Sequence, residues 1–507
     1  MIKKYKYRGD MVLKSAHFIG KWISTEETFE NEPVQGKSDK FSIGICELVN
    51  EAAFEAERAF SNYSNMTNSK RASFLRQIAT EINKLGDEIT EMGMKETGLP
   101  KGRLEGERQR TTNQLNLFAS LIDEGDYLDK RYDMSKTQGQ SIRLMQRPIG
   151  PVAVFGASNF PLAFSVAGGD TVSALAAGCT VIVKGHSSHP GVSDIVTQAI
   201  EKAMIKCDID KGVFSLIQGG NRTVGEALVQ HPLVKAVGFT GSFKGGKALF
   251  DLCANREEPI PFFGELGSVN PIFILPNAMK NKCSEIAKGW ANSLVLGAGQ
   301  FCTKPGILIV IKDKNTDMFI KNVKDALSEV PQQTMLNNNI ANAFNNGCDI
   351  LTKNTNVKNE LLTQSHEIRS AAPHLYSTDA SEWLSDNTLE EEVFGPVGIV
   401  VAAEDVDEAI LISKKIKGQL TATVHMDTDD TDLAKLFIRI LERKAGRLII
   451  NNFPTGVEVC DSMVHGGPYP ASTNFGATSV GTMAIRRFLR PVCYQGFEDD
   501  MVPYYLK

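Results

Sequence analysis

The spacing of apolar residues predicts that the first part of the chain is mainly helical. Between Cys46 and about Asp123, apolar positions recur every three or four residues, which is the period of an amphipathic helix. Gly86, Gly98-Leu99-Pro100 and Gly102 separate segments that show this period. The segments are Ala52–Phe60, Ser69–Leu85 and Arg103–Ile122. A short apolar segment at His17–Trp22 and the alternating residues 139–147 are predicted to be strands.

From residue 152 onward, short apolar runs alternate with helical patterns. The runs are Val152–Phe155, Thr180–Lys184, Val213–Ile217 and Ala236–Phe239. The helical patterns lead up to Ala177 and then cover about 191–204, 224–230 and 244–253. Strands that alternate with helices at this spacing form βαβ units on a parallel sheet. The pattern therefore predicts a doubly wound α/β domain of the nucleotide-binding type.

A second alternating set follows Glu265 and predicts a second α/β domain. Its strands are predicted at Ile272–Leu275, Ile307–Ile311, Val397–Val401, Thr421–His425 and Arg447–Asn451. Its helices are predicted near 316–328, 405–416 and 431–443. The asparagine-rich residues 337–346 are expected to form a solvated helix or loop. The tail Ala484–Lys507 is expected to pair with the sheet of a neighbouring subunit or to complete a sheet of its own chain.

Length and composition narrow the class of protein. A chain of 507 residues suggests about two to four domains, and 42% hydrophobic with 23% charged residues argues against a disordered or fibrous protein. The net charge of −5 implies no basic surface for nucleic acid or an anionic membrane. A small molecule is therefore the expected partner.

The cysteines indicate a reducing compartment. They are nine, an odd number, they are scattered, and no two form a CxxC pair, which argues against a disulfide framework and against a structural zinc site. No signal-peptide core can be fitted to the first residues, and the chain contains no apolar run of 18 residues. We therefore expect a cytoplasmic protein, and no metal is predicted.

Cys302 is the first candidate for chemistry. It lies in the glycine-rich turn Gly297–Pro305, between a helical pattern and a strand-like run. A thiol at such a turn is open to a substrate, although free cysteine is also a common core residue. Glu265, flanked by apolar residues and glycine, is either a desolvated carboxylate that acts as a general base or a partly buried partner of a basic group.

Polar residues also follow three predicted strands, where a doubly wound sheet binds its ligands. The amide of Asn159 can donate to an oxyanion or hold its own turn. Lys184 can reach a ribose or phosphate, or it is a solvated charge. The glycine-rich segment 239–246 can admit a pyrophosphate, although it is not a GxGxxG motif. Glu392 is by default a charge on a solvated face.

Together these residues resemble the aldehyde dehydrogenase superfamily, in the right order and over nearly the whole chain. Asn159-Phe160-Pro161 is similar to its oxyanion loop, Glu265-Leu266-Gly267 to its general-base motif and Gly299-Gln300-Phe301-Cys302 to its nucleophile motif. The cofactor positions that match are Lys184, Ser187, Phe239, Thr240, Gly241, Ser242, Gly246, Glu392 and Phe394. The fold implied is α/β, with two doubly wound domains and a small β oligomerisation element.

The resemblance also implies domain bounds and a mechanism. The dinucleotide-binding domain is expected at 1–124 and 151–264, the catalytic domain at 265–483, and bridging or oligomerisation strands at 125–150 and 484–507. The Cys302 thiolate is expected to add to an aldehyde, with the oxyanion held by Asn159 and the Cys302 N–H. NAD(P) takes the hydride, and Glu265 activates the water that hydrolyses the thioester. A homodimer or homotetramer is implied.

Two departures from the family pattern narrow the expected cofactor and the expected branch of the family. NAD-preferring relatives often carry a glutamate three residues after the ribose-site lysine, and Ser187 in that place removes repulsion against a 2′-phosphate, so NADP should be accepted. The segment from His465 to Ser472 replaces the usual glycine-rich motif. Together with Val183–Pro190 and Pro454–Val459, it resembles the branch that contains 2-oxoglutarate semialdehyde (2,5-dioxopentanoate) dehydrogenases and a bacterial fatty aldehyde dehydrogenase. His465 either lies near Cys302 and favours its thiolate or is exposed.

Several alternatives remain open at this point. The same thiol can serve an acylating or esterase reaction, although the placed base Glu265 favours hydrolysis. An inactive member with a binding or structural role has no physical need for Asn159, Glu265 and Cys302 together, and a cysteine protease leaves the cofactor residues without purpose. The substrate is expected to be 2,5-dioxopentanoate, with a fatty aldehyde as the alternative. Candidate cations for a distal carboxylate are Arg108, Arg110 and Arg447.

Overall fold

The computed structural model describes residues 12–219, 222–363 and 369–507. Residues 1–11, the start of the predicted first domain, lie outside the described residues. The chain divides into two compact units. The first comprises Met1–Gly264, Val459–Ser462 and Ala477–Lys507, and the second comprises Glu265–Glu458 and Met463–Gly476. No helix in the part of the chain that the structure describes is long and apolar enough to span a membrane.

The strands and helices follow the alternation that the sequence predicts. The strands are β1 His17–Ile19, β2 Trp22–Ile23, β3 Thr28–Glu30, β4 Lys40–Ser42, β5 Arg131–Met134, β6 Ser141–Pro148, β7 Val152–Phe155, β8 Val181–Lys184, β9 Phe214–Ile217, β10 Ala236–Thr240, β11 Phe262–Glu265, β12 Ile272–Ile274, β13 Ile307–Ile311, β14 Gln333–Thr334, β15 Lys358–Leu361, β16 Ser370–Ala371, β17 His374–Asp379, β18 Val397–Ala403, β19 Gln419–His425, β20 Ala445–Ile450 and β21 Leu489–Gln495. The helices are α1 Cys46–Tyr63, α2 Asn68–Lys84, α3 Gly86–Thr97, α4 Lys101–Glu124, α5 Gly169–Ala177, α6 Pro190–Lys206, α7 Arg222–Gln230, α8 Phe243–Ala254, α9 Pro276–Val295, α10 Thr316–Ser328, α11 Asn338–Lys353, α12 Ala380–Ser385, α13 Val406–Lys415 and α14 Thr431–Leu441.

A seven-stranded sheet in the order β11-β10-β7-β8-β9-β1-β2 forms the centre of the first unit. Strands β10, β7, β8 and β9 are parallel, and β1 and β2 add an antiparallel edge. Alternate residues of a strand point to opposite faces of the sheet, and apolar clusters cover both faces of this one. Val152 and Val154 belong to one apolar cluster, and Ala153 and Phe155 belong to the other. Because β10, β7, β8 and β9 are parallel, their carboxyl ends meet at one edge of the sheet, as the doubly wound prediction requires.

Helix α3, residues 86–97, is a helix that the periodicity did not predict. Gly86 was expected to separate helical segments, and it does, because α2 ends at Lys84 and α3 begins at Gly86. A Cβ at residue 86 would also approach the guanidinium of Arg108. Arg108 donates to the hydroxyl of Thr90 on α3, at 3.2 Å. Gly86 is therefore both a helix boundary and a point of close helix packing.

The small sheet of the first unit has the order β21-β6-β5. The chain tail pairs antiparallel with β6, from Leu489 opposite Pro148 to Gln495 opposite Ile142. The tail thus completes a sheet within its own chain, which is one of the two outcomes expected for it. All four residues of β5 are exposed, including Tyr132 and Met134.

The second unit repeats the doubly wound arrangement. Its sheet has the order β15-β17-β18-β13-β12-β19-β20, and all its strands are parallel except β15. Ile307 and Ile309 face one apolar cluster, and Leu308 and Val310 face the other. The predicted α/β fold class, with two doubly wound domains and a small β element, is confirmed by the two seven-stranded sheets and the sheet β21-β6-β5.

Two elements of the second unit are rich in polar residues, and the first of them is the helix that was one of its two expected outcomes. The asparagine-rich segment is a regular helix, α11, because its polar residues alternate with Ala341, Phe344 and Cys348, which are buried at helical spacing. Strand β17 was not predicted, since it ends in polar residues. Ser377 and Thr378 are nevertheless buried and satisfied by hydrogen bonds to Glu360 and to the carbonyl of Asn356.

Candidate active site

The turn that carries Cys302 begins directly after α9. Its residues Gly297, Ala298 and Gly299 all have positive φ, at 60°, 57° and 64°. A Cβ at residue 299 would collide with the backbone of Gly395, so this position requires glycine. The amide of Asn270 donates to the carbonyl of Cys302 at 2.9 Å and thereby fixes the end of the turn. The backbone that presents the thiol is thus held from two sides.

Three of the predicted catalytic side chains meet within the second unit. The Cys302 Sγ lies 3.3 Å from Nε2 of His465, and the same nitrogen lies 3.0 Å from Oε1 of Glu265. His465 is 1% exposed and Glu265 is 7% exposed, whereas Cys302 is partly exposed. His465 is therefore not a loop histidine in solvent. Its imidazole can take or share the proton of the thiol, which is the arrangement that produces a nucleophilic thiolate.

The backbone around Glu265 and His465 explains why they meet. Glu265 is the last residue of β11 and forms an isolated antiparallel bridge with Ser472. The Leu266 N–H donates to the carbonyl of Ala471 at 2.9 Å. The segment that carries His465 is also pressed against Gln419 at the start of β19, where a Cβ at residue 467 would collide with the Gln419 carbonyl. Glycine at 467 allows this close approach.

Arg447 borders the nucleophile turn. Its guanidinium donates to the carbonyl of Gly456 at 3.0 Å and to that of Pro454. The Gly456 N–H in turn donates to the hydroxyl of Thr303, at 3.2 Å. Burial lowers the pKa of Arg447, and the neighbouring Cys302 thiolate opposes that shift. Arg447 is one of the three arginines proposed from the sequence for a distal carboxylate, and its charge interacts with Cys302.

Lys304 is a residue of this region that the sequence interpretation missed. It is 2% exposed, and its ammonium donates to the carbonyls of Val393 at 2.8 Å and Val397 at 3.3 Å. Burial lowers its pKa to about 8. The only available signal was a lysine two residues after the cysteine, directly before the apolar run that becomes β13.

Glu392 is the electrostatic partner of Lys304. Burial raises the pKa of its carboxyl group to about 7, and the charge of Lys304 and the Ser268 N–H oppose that rise. Glu392 is therefore not a charge on a solvated face, which was its default interpretation from the sequence. Phe394, two residues later, is partly buried. The Lys304 ammonium thus fixes the segment that carries both residues predicted for the nicotinamide side.

Replacing Lys304 with methionine is expected to destabilise the protein by about 2–4 kcal/mol. The change leaves the two carbonyls without their charged donor and Glu392 without its cation. Chemical denaturation measures the loss. The matched control is Lys314→Met, an exposed lysine of the same unit, whose effect should stay within about 0.5 kcal/mol. Equal stability of the two variants would contradict this assignment.

Seven of the nine cofactor residues proposed from the sequence lie in the first unit, at or after the carboxyl ends of β8 and β10, and the other two, Glu392 and Phe394, lie in the second unit. Lys184 is the last residue of β8, and burial lowers its pKa to about 8. Among the described residues we find no carboxylate in ion-pair distance of its ammonium. Ser187, three residues later, is exposed. A partly desolvated cation at a strand end is suited to ribose hydroxyls or phosphate.

The segment after β10 offers main-chain donors. Ser242 caps α8 by accepting from the Gly245 N–H at 3.3 Å, and residues 241–245 are exposed. The first turn of α8 contains no acidic residue. An open helix N-terminus of this kind favours an anion such as a pyrophosphate. Together with Lys184, these residues fit a dinucleotide. Phe239 and Thr240 end β10 and are partly buried, and Gly246 is buried.

The loop after β7 is anchored to α4. The Glu107 carboxylate accepts from the N–H groups of Leu162 and Ala163 at 2.8 and 2.9 Å. The guanidinium of Arg103 lies 4.4 Å from the ring centre of Phe160. These contacts hold the backbone that follows Asn159, which is itself partly buried. Asn159 belongs to the first unit and Cys302 to the second, so its role as an oxyanion donor stays a prediction.

Comparisons with known proteins show what this chain is similar to. The model of the aldehyde dehydrogenase family matches residues 31–490. An alpha-ketoglutaric semialdehyde dehydrogenase of Acinetobacter baylyi is 47% identical over 476 residues, which cover 92% of this chain and 90% of that protein. Alpha-ketoglutaric semialdehyde dehydrogenase 2 of Azospirillum brasilense is 46% identical over 480 residues, with 94% and 91% covered.

Solved structures share the fold at lower identity. A betaine aldehyde dehydrogenase from Staphylococcus aureus in complex with NAD+ superposes with a TM-score of 0.83 and 21% identity, covering 98% of this chain and 97% of that one. An NADP-dependent glyceraldehyde-3-phosphate dehydrogenase from Bacillus halodurans, complexed with NADP, gives a TM-score of 0.81 at 21% identity, with 94% and 98% covered. At such identities the likeness shows the fold.

Proposed function

The chain belongs to the aldehyde dehydrogenase family, and on this premise we propose that it oxidises 2,5-dioxopentanoate to 2-oxoglutarate with NAD or NADP. This substrate is the alpha-ketoglutaric semialdehyde of the two relatives. The observation that carries the proposal is the identity of 46–47% to those enzymes over more than nine-tenths of this chain. A fatty aldehyde, the alternative from the sequence, has no comparable support among these relatives.

Cys302 is proposed as the nucleophile. Its thiolate attacks the aldehyde carbon, and the sulfur–carbon bond forms as the carbonyl oxygen becomes an oxyanion. His465 receives the thiol proton, an assignment that rests on the 3.3 Å distance between Sγ and Nε2. Asn159 and the Cys302 N–H stabilise the oxyanion. The support for Asn159 is its motif and its place in the anchored loop after β7.

Hydrolysis of the acylated cysteine is assigned to Glu265. The bound nicotinamide cofactor supplies the oxidising power by accepting a hydride from the adduct. The thioester that remains on Cys302 is attacked by a water from which Glu265 removes a proton. The carboxylate of Glu265 suits this task because it is buried and in contact with His465, which can carry the proton onward. The products are the carboxylic acid and the free thiol.

The cofactor is proposed to bind the first unit. Lys184 and Ser187 hold the adenosine ribose, and the 239–246 segment with Ser242 holds the pyrophosphate. Gly246 permits close approach of the cofactor at the start of α8. Glu392 and Phe394 of the second unit are proposed for the nicotinamide side. The predicted domains, 1–124 with 151–264 for the cofactor and 265–483 for catalysis, are part of this proposal.

Assembly and location are also proposals. The exposed strand β5, with its Tyr132 and Met134, leaves one edge of the small sheet open to a second copy of the chain. This supports the expected homodimer or homotetramer. The nine free cysteines support a reducing compartment such as the cytoplasm.

A panel of aldehydes tests the substrate proposal. We expect 2,5-dioxopentanoate to give the highest kcat/KM, because a distal carboxylate can be recognised by a cation such as Arg447 and a hydrocarbon tail cannot. Succinic semialdehyde and long-chain aldehydes complete the panel, each measured with both cofactors. A higher kcat/KM for a long-chain aldehyde would instead favour the fatty aldehyde alternative.

The ratio of kcat/KM for NAD and NADP tests the role of Ser187. Without a carboxylate at this position a 2′-phosphate meets no repulsion, so NADP should be used at least comparably to NAD. The variant Ser187→Glu is expected to lower kcat/KM for NADP by about tenfold or more, which corresponds to about 1.4 kcal/mol. A preference of the unmodified enzyme for NAD above about tenfold would count against this role.

A further inference from the structure

Three metal-binding side chains converge on one point in the second unit. The Cys302 Sγ, the His465 Nε2 and a Glu265 carboxylate oxygen all lie within 4.8 Å of one another. Two of the separations are 3.3 Å, from sulfur to nitrogen, and 3.0 Å, from nitrogen to oxygen. Within the described ranges this is the one group of three or more such residues that satisfies the criterion. The sequence predicted no metal site.

Two of the three separations are close to those around a tetrahedral zinc ion. Zinc binds cysteine sulfur at about 2.3 Å and histidine nitrogen or carboxylate oxygen at about 2.0–2.2 Å. Two such ligands at a tetrahedral angle are then about 3.3–3.6 Å apart. The observed distances of 3.3 and 3.0 Å need only small side-chain adjustments to reach these values. Three protein ligands leave the fourth position for water, as in open zinc sites.

The chemistry of the ligands selects the metal. A thiolate and an imidazole favour zinc and its heavier analogue cadmium, whereas magnesium and calcium prefer an all-oxygen site. The thiolate and the carboxylate together supply two negative charges, which neutralise a dication in a buried environment. Glu265 and His465 are almost fully buried, so an ion bound there is largely removed from water.

We propose that Cys302, His465 and Glu265 form an inhibitory site for a thiophilic divalent cation of the zinc class. The metal–sulfur bond replaces the sulfur–proton bond, the proton leaves to solvent, and no group is oxidised or reduced. The sulfur lone pair that would attack an aldehyde is then engaged, and the other two ligands are withdrawn from proton transfer. The inhibition rests on the proposed function, but the binding of the metal does not.

Cadmium is the probe for binding, because a cadmium–thiolate bond absorbs in the ultraviolet without any assay of activity. The full chain is treated with a chelator, freed of it and titrated with Cd²⁺. We expect one tightly bound ion per chain and an absorbance that is lost in Cys302→Ser. His465→Gln and Glu265→Gln should weaken binding by about tenfold or more. Zinc should displace cadmium and remove the absorbance.

The control variants are Cys46→Ser and Cys493→Ser, which remove exposed free cysteines outside the site. Both should keep the absorbance and the stoichiometry. Binding that is unchanged in Cys302→Ser, or equally tight in His465→Gln and Glu265→Gln, would overturn the site. The same conclusion would follow if the unmodified chain bound no cadmium. Melting temperatures show whether each variant remains folded.

Activity separates this inference from the proposed function. Micromolar zinc should slow aldehyde oxidation by the unmodified enzyme, and a chelator should restore the rate without a reducing agent. A chain that binds cadmium at this site but oxidises no aldehyde would refute the proposed function and leave the site standing. A chain that oxidises aldehydes but binds no cadmium would refute the site alone.

Discussion

Cys302→Ala is expected to abolish aldehyde oxidation while the protein continues to bind its cofactor. Without the sulfur no thiohemiacetal and no thioester form, and removal of the nucleophile in a covalent mechanism costs on the order of 10⁴–10⁶ in kcat. The cofactor residues proposed from the sequence, such as Lys184 and Ser242, are untouched. Steady-state kinetics measure the first effect, and fluorescence titration with NADPH measures the second.

The matched control for this variant is Cys283→Ala, which removes a buried thiol of α9 in the same unit. It should keep its rate, because Cys283 lies outside the proposed machinery. Residual activity of Cys302→Ala within about tenfold of the unmodified enzyme would exclude the nucleophile assignment. Loss of activity in both variants would point to damaged folding, which thermal unfolding would reveal.

Glu265→Gln is expected to slow release of the acid by about 10²–10⁴-fold, the range of general-base catalysis. Glutamine has nearly the same shape and keeps the contact with His465, but it cannot take a proton from water. If acylation stays fast, the first turnover is rapid and later ones are slow. Stopped-flow absorbance should then show a burst of reduced cofactor that approaches one equivalent per active site.

Glu285→Gln, an exposed carboxylate on α9, is the control for this prediction and should leave the steady-state rate unchanged. Full steady-state activity of Glu265→Gln would remove the general-base role. A slow first turnover without a burst would mean something different. Glu265 would then act on acylation through its contact with Nε2 of His465, the atom that also faces Cys302.

Much of the fold follows from local periodicity. Strands β7 and β13 have the bounds that the apolar runs predict, because a buried strand in a parallel sheet is apolar throughout its length. The break between α2 and α3 at Gly86 also follows from the sequence. One strand was missed because a local pattern does not report contacts with distant segments. Strand β17 ends in polar residues and was therefore not predicted. Its hydroxyls are satisfied by Glu360 and Asn356, which lie on another segment.

The sequence by itself determined the fold class and the chemistry available to this protein. A cysteine in a glycine-rich turn, a carboxylate after a strand and an amide after another are visible as motifs, and their order along the chain identifies the family. Periodicity and motif carry this information because each depends on neighbours within a few positions.

Only the tertiary structure decided which of these groups meet. It brings His465 against both Cys302 and Glu265, and it buries Lys304 beside Glu392. The physical reason is that His465 and Cys302 are 163 positions apart, so their contact depends on how the loop after β20 packs against the ends of the second sheet. No local pattern encodes that packing. The packing places His465, which the sequence left either near Cys302 or exposed, in contact with the thiol.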